Sequence, residues 1–344
     1  MANQCAQLIM LLTQEGARVE LVRTNAPYRP AWAEHVRLLR ALARLVPYVF
    51  ALRRAIARAD AVHVLANSGW SWYLFAWPAL LLCRWSGVGA IVNYRGGHAD
   101  AFIGSAPAHV KRALAAAALR VTPSMFLVRV FRNHGLDAQV IPNIVDLARF
   151  LPRPVMSYGR APHLVVTRNL EAIYDIATAI RAFAEVRKVH SAARLTVAGT
   201  GPERDALQHL VAAEGLGNAV SFSGRIDNQF IGALYQDADC MLNPSTVDNM
   251  PISILEAMAS GVPVVSTDAG GIPDMVDNGV TGLLVPVGDH RAMAAAVLRV
   301  LDDSEFVKAM CAAALAQVQQ YAWPEIREKW RQAYWQVAMK RRKP

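Results

Sequence analysis

The sequence predicts an α/β chain built from two doubly wound, parallel-sheet domains, and three observations indicate this. Short β-branched and apolar runs alternate with helical patterns from one end of the chain to the other. The alternation restarts after a proline-bearing, weakly periodic stretch at 145–162, which is typical of an interdomain linker. The length, 344 residues, suits two domains better than one. Such alternation implies parallel sheets with helices on both faces.

In the first domain, residues 1–150, short apolar runs predict buried strands. These strands are Ala17–Thr24, Ala61–Asn67, Gly89–Arg95 and Ala138–Asn143. Helical patterns such as His35–Arg58 and Ala108–Leu119 lie between them. The apolar run Gly69–Cys83 is short for a membrane span, which needs about 20 residues. We therefore favour a helix buried against the sheet, with a helix that dips into a bilayer interface as the alternative.

The start of the first domain departs from the usual pattern. A predicted helix at 4–14 comes before the strand at 17–24, whereas a doubly wound domain opens with a strand and a glycine-bearing turn. Losing a central strand would leave unpaired N–H and C=O groups on its neighbours. We therefore expect a gap in the first sheet beside Val19–Val22, and a chain that is a shortened form of a longer protein. An extended form should then be more stable and more active.

In the second domain, residues 151–322, the same alternation predicts six strands. They are His163–Thr167, Arg194–Gly199, Ala219–Gly224, Asp239–Ser245, Val262–Thr267 and Gly282–Pro286. A final helix at 323–344 is expected to cross back to the first domain. Ligands of doubly wound sheets bind at the carboxyl ends of the strands, so a site is expected in a cleft between the domains.

Charge and cysteine usage narrow the function classes. The formal net charge of +9 suits an anionic partner: a phosphate-bearing substrate, a membrane surface or nucleic acid. We expect no nucleic-acid partner, because the chain lacks a nucleic-acid-binding motif. The four cysteines are scattered without a CxxC pair, which argues against zinc and disulfides and fits a reducing, cytoplasmic compartment. The N-terminus also lacks the pattern of a signal peptide.

The segment Asp248–Pro273 carries the strongest chemical signal. Pro251 suits the first position of a helix, where the preceding amides and the helix dipole favour an anion such as phosphate. Asp248 lies in the loop before this helix, and Glu256 lies within the helix, eight residues later. Gly270 and Gly271 then follow a strand end, where a backbone must approach closely. Each feature alone suits an ordinary helix, but their combination indicates a site.

The segment Ser245–Asp289 resembles the donor-site signature of the family-4 retaining glycosyltransferases, which have the GT-B fold. The likeness continues through nearly all of the second domain, in the segments 197–207, 220–226 and 321–337. The first domain is similar more loosely, at 11–22, 92–97 and 121–146. The resemblance implies two Rossmann-like domains and an activated sugar as the donor.

The resemblance also implies roles for individual residues of the second domain. Glu256 holds the ribose hydroxyls of the nucleotide, while Asp248 faces the donor sugar at a position where the family more often has glutamate. Arg168 clamps the donor diphosphate, a task that suits a guanidinium fork. The remaining donor-side residues, which act largely through their backbone, are Gly201, Arg225, Ile226, Asn249, Met250 and Ile252.

One cation of the family pattern is missing. The family usually has a lysine about five residues after the arginine, and Ile173 stands there in this sequence, followed by Tyr174 and Asp175. Arg168 alone would then carry a charge that two cations usually share. Stabilisation of the leaving diphosphate could weaken by several kcal/mol.

On the acceptor side, the resemblance points to the segment that ends the strand at 89–95. Many relatives have a histidine about where Arg95 falls, and this sequence offers Arg95 and His98. Arg95 could hold a phosphate or carboxylate of the acceptor, and His98 could contact a hydroxyl. A solvated loop with two glycines for a tight turn is the equal alternative.

The basic helical pattern at 35–59 has two open interpretations. It is a surface helix that covers the sheet, or it docks on an anionic membrane. Membrane docking would help an enzyme whose acceptor is lipid-linked. The arginines that share faces of this helix are Arg37, Arg40 and Arg44, and Arg54 and Arg58.

The sequence therefore predicts a retaining, metal-independent glycosyltransferase with no cofactor beyond its nucleotide-diphosphate sugar donor. The acceptor is expected to be a glycan or lipid-linked saccharide of the cell envelope or of an exopolysaccharide. We expect a cytoplasmic protein, with attachment to the inner face of the cell membrane as an open possibility. The alternative is a nucleotide-sugar-binding protein with little or no catalysis, which the isoleucine at 173 and the unusual start support.

Overall fold

The structure is a computed structural model that describes residues 2–24, 37–152 and 161–341. The chain divides into two compact units, Met1–Pro142 with Ile326–Pro344 and Asn143–Glu325. We keep the sequence-based limits of 1–150, 151–322 and 323–344 as a proposal for the domains. Residues 35–36 of the predicted helix and 153–160 of the predicted linker lie outside the described residues, as do the side chains of Arg37 and Arg40.

The first unit contains a four-stranded parallel sheet in the order β1-β2-β3-β4. Its strands are β1 Ala61–Ala66, β2 Gly89–Tyr94, β3 Leu119–Thr122 and β4 Gln139–Val140. Its helices are α1 Ala2–Gln14, α2 Arg37–Arg58, α3 Trp77–Trp85, α4 Ala99–Ser105, α5 Ala108–Ala116 and α6 Met125–Asn133. Alternate strand residues such as Ala90, Val92 and Tyr94 face a core that helices α2 to α6 complete.

The last helix, α13 (Trp323–Arg341), contributes to the first unit from Ile326 onward. The hydroxyl of Tyr334 lies 2.7 Å from His63 Nδ1 of β1, and the Trp330 and His63 rings pack with centroids 4.9 Å apart. A Cβ added to Gly89 would lie 2.9 Å from the Val337 carbonyl oxygen, so this glycine allows the close approach of α13 and β2.

The predicted strand Ala17–Thr24 is wrong, because residues 17–24 are irregular. Val19 and Leu21 are exposed, and β1 pairs with β2 alone among the described strands. A segment forms a strand where a neighbouring strand pairs with its N–H and C=O groups. Residues 17–24 have no such neighbouring strand in the part of the chain that the structure describes. The predicted gap beside Val19–Val22 is wrong as well, since the described first sheet runs through four adjacent strands without interruption.

Two other differences in the first unit are smaller. Strand β3 was not predicted, because its four residues directly follow the apolar helix α5 and continue its hydrophobic pattern. The run Gly69–Cys83 is helical, as expected, with a π-helix at Trp72–Ala76 that leads into α3. Trp72, Ala79 and Cys83 are buried, which favours the core helix over the interfacial one. Among the described residues, no helix has the length and apolar character to cross a bilayer.

The second unit contains a six-stranded parallel sheet in the order β10-β9-β8-β5-β6-β7. All six predicted strands are confirmed, as β5 His163–Val166, β6 Arg194–Ala198, β7 Val220–Gly224, β8 Cys240–Asn243, β9 Val264–Thr267 and β10 Leu283–Val285. The helices are α7 Ile176–Val189, α8 Arg204–Ala213, α9 Ile231–Asp237, α10 Ile252–Ala259, α11 His290–Asp302 and α12 Ser304–Val318.

Helices cover both faces of the second sheet. Leu164 and Val166 face a core that includes α7, α8 and α11, while Val165 between them faces a second core that includes α9 and α10. This alternation is why the strands read as continuous apolar runs in the sequence. Strand order reverses between β5 and β8, which is the switch point where doubly wound sheets bind ligands at the carboxyl ends.

Candidate functional site

The switch point of the second sheet brings Arg168 and Asp248 together. Arg168 follows the carboxyl end of β5, and Asp248 lies in the loop after the neighbouring strand β8. The Arg168 Nη2 donates to Asp248 Oδ2 in an ion pair whose side chains are only 12% and 14% exposed. Arg168 Nε is buried and has no acceptor among the described residues. The guanidinium therefore keeps an unused donor at the place where this fold binds ligands.

Three glycines allow adjacent loops to pack directly against the backbone of the segments that carry these two residues. A Cβ at Gly199 would collide with the Arg168 carbonyl oxygen, and one at Gly201 with the Leu170 carbonyl oxygen. Gly270 has a φ of +58°, and a Cβ there would collide with the Asp248 carbonyl oxygen. The Gly201 and Gly270 predicted from the sequence thus shape the loops of the site through their missing side chains.

Tyr174 packs on the face of the Arg168 guanidinium, whose central carbon lies 4.0 Å from the ring centroid. Tyr174 ends a short 3₁₀ turn, Ala172–Tyr174. Thr246 fixes this turn to the Asp248 loop, since its N–H and its hydroxyl both donate to the Ile173 carbonyl oxygen, at 2.8 and 3.0 Å. Burial raises the pKa of Tyr174, and the positive charge of Arg168 opposes that rise.

Glu256 lies in α10 beside a buried hydroxyl network. The Tyr235 hydroxyl is 3.4 Å from Glu256 Oε2, 3.2 Å from the Ser253 carbonyl oxygen and 2.8 Å from the Thr167 hydroxyl. Because Thr167 precedes Arg168, this network connects the end of β5 to α10. Tyr235 is fully buried, so its hydroxyl is held in one place.

The surroundings of Glu256 alter its acidity. Burial raises the pKa of the Glu256 carboxyl to about 7, while the charge of Arg149, the hydrogen bond of Tyr235 and the charge of Arg168 all act to lower it. A carboxyl with such a pKa changes charge near neutral pH. Burial also raises the pKa of Tyr235, and the neighbouring Glu256 charge adds to that rise.

The other predicted donor-side residues divide into two groups. The first group lies next to Asp248 and the start of α10. Asn249 is buried and donates its N–H to Asp248 Oδ1 at 2.8 Å. Ile252 begins α10, and Pro251 is the N-cap of this helix instead of its first residue, which was the expected position. Met250 faces inward, where its carbonyl oxygen accepts from Asn143 Nδ2 at 2.7 Å.

The second group lies further along the same sheet. Arg225 and Ile226 follow β7, which is separated from β5 by β6. Arg225 is exposed, whereas the half-buried Ile226 packs against the core that includes Phe150. The contacts of the described residues do not join either one to Arg168.

In the first unit, Arg95 and His98 lie at the carboxyl end of β2. Arg95 is half-buried near His63 and Cys5, and burial lowers its pKa to about 10. Burial and the Arg95 charge together lower the pKa of His63 to about 3, so this ring stays neutral at physiological pH. His98 is exposed and precedes α4. Arg95 thus has neighbours inside the unit that the sequence did not predict.

The sequence did not single out four residues that shape the site. Tyr235 and Thr246 position its loops, Arg149 places a positive charge near Glu256, and Tyr174 packs on Arg168. Thr246 lies in the signature segment Ser245–Asp289 but its role was not predicted, and Tyr174 gave a signal because it follows Ile173, which stands in place of the family's lysine. A largely buried arginine, two carboxylates and a helix start suit an anionic ligand with hydroxyl groups. Within the described ranges, no cluster of His, Cys, Asp and Glu has the makings of a metal site.

A family comparison agrees with this geometry. Residues 153–317 match the model of the family described as glycosyl transferases group 1. The matched range contains Arg168, Asp248 and Glu256, the three charged residues predicted for the donor site.

Curated relatives are similar to this chain over about half of its length. WcaL of Escherichia coli (strain K12), whose name assigns it to colanic acid biosynthesis, is 33% identical over 44% of this chain and 38% of its own. Glycogen synthase of Mycobacterium tuberculosis is 33% identical over 53% of this chain and 41% of its own. The chain thus spans about two fifths of the length of these relatives.

Solved structures of glycosyltransferases share the fold over most of this chain. Sucrose-phosphate synthase of Thermosynechococcus elongatus has a TM-score of 0.72 and 21% identity, covering 88% of this chain and 79% of its own. HepE of Anabaena, solved in complex with UDP, has a TM-score of 0.71 and 18% identity, covering 94% and 88%. These neighbours are GT-B glycosyltransferases, which confirms the predicted fold class.

Proposed function

We propose that this chain is a retaining glycosyltransferase that moves a sugar from a nucleoside-diphosphate sugar to a glycan or lipid-linked acceptor. The observation that carries the proposal is the grouping of Arg168, Asp248 and Glu256 at the switch point of the second sheet. Each of these groups has a counterpart in the chemistry of a nucleotide sugar. The structures of HepE with UDP and with UDP-glucose support UDP as the first nucleotide to test.

Arg168 is proposed to hold the diphosphate. Its buried Nε and the amides at the start of α10 are donors suited to phosphate oxygens. The Arg168 charge and the dipoles of these amides stabilise the diphosphate as it leaves. We infer no protein nucleophile, since a donor that reacts on one face can retain its configuration with help from its own leaving group. With these donors in place, we expect transfer without an added metal ion, which activity in excess EDTA would check.

Glu256 and Asp248 are proposed to bind hydroxyl groups at opposite ends of the donor. Carboxylates accept hydrogen bonds from ribose and sugar hydroxyls, and charged acceptors make the stronger ones. Asp248 is shorter than the glutamate that the family more often has. This difference is where we expect the donor-sugar preference of this chain to originate.

The acceptor side is proposed to lie in the first unit, with His98 as an exposed candidate to contact it. For Arg95 a positioning role is proposed, because its burial near His63 limits direct contact with an acceptor. We also propose a cytoplasmic protein, since a reducing compartment suits the free cysteines Cys5, Cys83, Cys240 and Cys311. An acceptor from envelope or exopolysaccharide synthesis agrees with the name of the relative WcaL.

The competing function is nucleotide-sugar binding without transfer, which Ile173 in place of a lysine supports. The two functions separate in an assay that incubates the purified chain with a panel of nucleoside-diphosphate sugars and measures release of the nucleoside diphosphate. Release from at least one donor, lost in Asp248→Asn, supports the transferase. Binding of a donor without release, in the presence of a range of saccharide acceptors, supports the binding protein.

A further inference from the structure

The immediate surroundings of the Arg168 guanidinium suggest a role for a tyrosine that no family motif assigns. The Asp248 carboxylate lies at Nη2 of this cation, and the Tyr174 ring lies on its face. Its own Nε has no hydrogen-bond partner among the described residues. An arginine has a long side chain with many rotamers, so its use as a phosphate clamp depends on what holds it. The ring restricts the plane of the guanidinium without using any of its donors.

The backbone around Tyr174 is held in a conformation that places the ring over Arg168. Asp175 has a φ of +40°, a left-handed conformation that non-glycine residues rarely adopt. Its side chain accepts a hydrogen bond from the Thr178 hydroxyl at 2.6 Å, and Thr246 holds the preceding turn by two bonds to Ile173. Such conformations persist where the surrounding contacts over-determine them, and they concentrate at functional sites.

We propose that Tyr174 is a positioning residue for the donor diphosphate, through its aromatic face and not through its hydroxyl. The ring keeps the Arg168 guanidinium edge-on to the diphosphate, so that Nε and the Nη atoms bind phosphate oxygens while Asp248 stays beside the donor sugar. In this chain a fixed single arginine thereby serves in place of the arginine and lysine pair. This inference rests on the proposed donor site at Arg168.

The test measures UDP affinity by isothermal titration calorimetry for the full chain and five variants. Tyr174→Phe keeps the ring and should bind UDP within about twofold of the parent. Tyr174→Leu removes the ring and should bind about five- to thirtyfold more weakly, the fold-change that corresponds to a cation–π contact. The matched control is Phe306→Leu in α12. It removes a ring whose centroid lies 3.8 Å from the central guanidinium carbon of Arg299 in α11, and it should leave the UDP affinity unchanged.

A double-mutant cycle decides whether Tyr174 acts through Arg168. In the Arg168→Ala background, the further change Tyr174→Leu should have no effect on UDP affinity. An equal loss in both backgrounds would show that Tyr174 acts independently and would overturn the inference, as would parent-like affinity of Tyr174→Leu. If Arg168→Ala itself binds UDP as tightly as the parent, the proposed donor site falls and the inference with it.

Discussion

At the scale of the residue, the account depends on Arg168 and its neighbours. The guanidinium is largely buried, paired with Asp248 on one side and covered by Tyr174 on its face. A cation held this way costs little reorganisation when a diphosphate develops charge beside it. The missing lysine makes this single cation more important than one member of a pair.

Arg168→Ala should reduce turnover by about 100- to 1,000-fold, because the leaving diphosphate loses its preorganised donors. Arg168→Lys keeps the charge but loses the fork, and should recover only part of the rate. Steady-state release of nucleoside diphosphate measures both, with circular dichroism to confirm folding. Equal rates for Arg168→Ala and the parent chain would remove Arg168 from the site.

Glu256→Gln should weaken donor binding by about 1–3 kcal/mol, the scale of a hydrogen bond to a charged group. The parent should also bind UDP-glucose more tightly as pH rises through about 7, because ribose hydroxyls favour the ionised Glu256 carboxyl. UDP-glucose suits this titration since its diphosphate, esterified at both ends, does not titrate in that range. Calorimetry from pH 5.5 to about 8.5 should show no such rise for the variant; the same rise in both proteins would contradict the assignment.

The same carboxyl influences stability with the opposite sign. Its folded pKa of about 7 lies above the ordinary value of 4.5, so the folded state holds this proton more tightly than the unfolded state. The resulting stabilisation is fully present below about pH 4.5 and is lost as pH rises through about 7. Denaturant titrations at several pH values should show this loss in the parent and not in Glu256→Gln.

At the scale of the element, the loops after β5, β8 and β9 share one edge of the sheet and determine where the site residues meet. Gly270 allows the β9 loop to reach the backbone of Asp248, whose carbonyl oxygen accepts from the Gly271 N–H at 2.9 Å. A side chain at Gly270 would have to displace that backbone. The glycine therefore affects the site through packing and not through contact with a ligand.

Gly270→Ala should destabilise the chain by about 1–3 kcal/mol and also weaken UDP binding, because Asp248 must move and its ion-pair partner Arg168 with it. Gly279→Ala is the matched control: its φ of +78° is equally left-handed, but a Cβ there meets nothing within 4 Å. Gly279→Ala should lower the stability by about 1 kcal/mol, the cost of a left-handed backbone conformation for a non-glycine residue, and leave the UDP affinity unchanged. Thermal unfolding and calorimetry measure the two effects, and identical behaviour of the variants would refute the packing role.

Element-scale features also show what could be predicted from sequence. Most strands of the second unit were predictable, because they are buried on both faces and read as apolar runs. The edge strand β7 differs, because its residues alternate between half-buried and exposed. Ala17–Thr24 also has a local strand pattern, with charged and apolar residues in alternation, and is not a strand, since pairing depends on a neighbour that local sequence does not describe. Asp248 and Glu256 were found through their spacing in the segment Asp248–Pro273, and Arg168 through the family resemblance. Tyr235 and Arg149 reach the site through tertiary packing alone.

At the scale of the whole molecule, the net charge of +9 favours an anionic membrane surface. The exposed face of α2 supports such docking: Phe50 is 70% exposed and Val46 is 49% exposed, and Arg53 and Arg54 lie exposed beside them. Arg58 has its own partner, because it binds Glu20 Oε1 at 2.8 Å. We therefore expect peripheral attachment through apolar and basic side chains of α2.

Cosedimentation with vesicles tests this attachment. The parent chain should bind vesicles that contain phosphatidylglycerol and not vesicles of phosphatidylcholine, with binding that weakens as salt rises. Changing both Arg53 and Arg54 to Glu should lower binding by about tenfold or more, at about 1 kcal/mol for each charge near the surface. The control is the double variant Arg225→Glu and Arg291→Glu in the second unit. Both residues are exposed, and the double variant changes the net charge by the same amount as the α2 variant. Equal loss in both double variants would reject a specific role for α2.

The central claim is that the second unit binds a nucleoside diphosphate and its sugars at Arg168, Asp248 and Glu256. The most direct measurement is a thermal-shift panel of nucleosides, nucleoside monophosphates, nucleoside diphosphates and nucleotide sugars, since a ligand that binds only the folded state raises the melting temperature. The account predicts that at least one nucleoside diphosphate raises the melting temperature and that its monophosphate raises it less. In Arg168→Ala neither ligand should raise the melting temperature. No rise with any diphosphate, or an unchanged rise in Arg168→Ala, would contradict it.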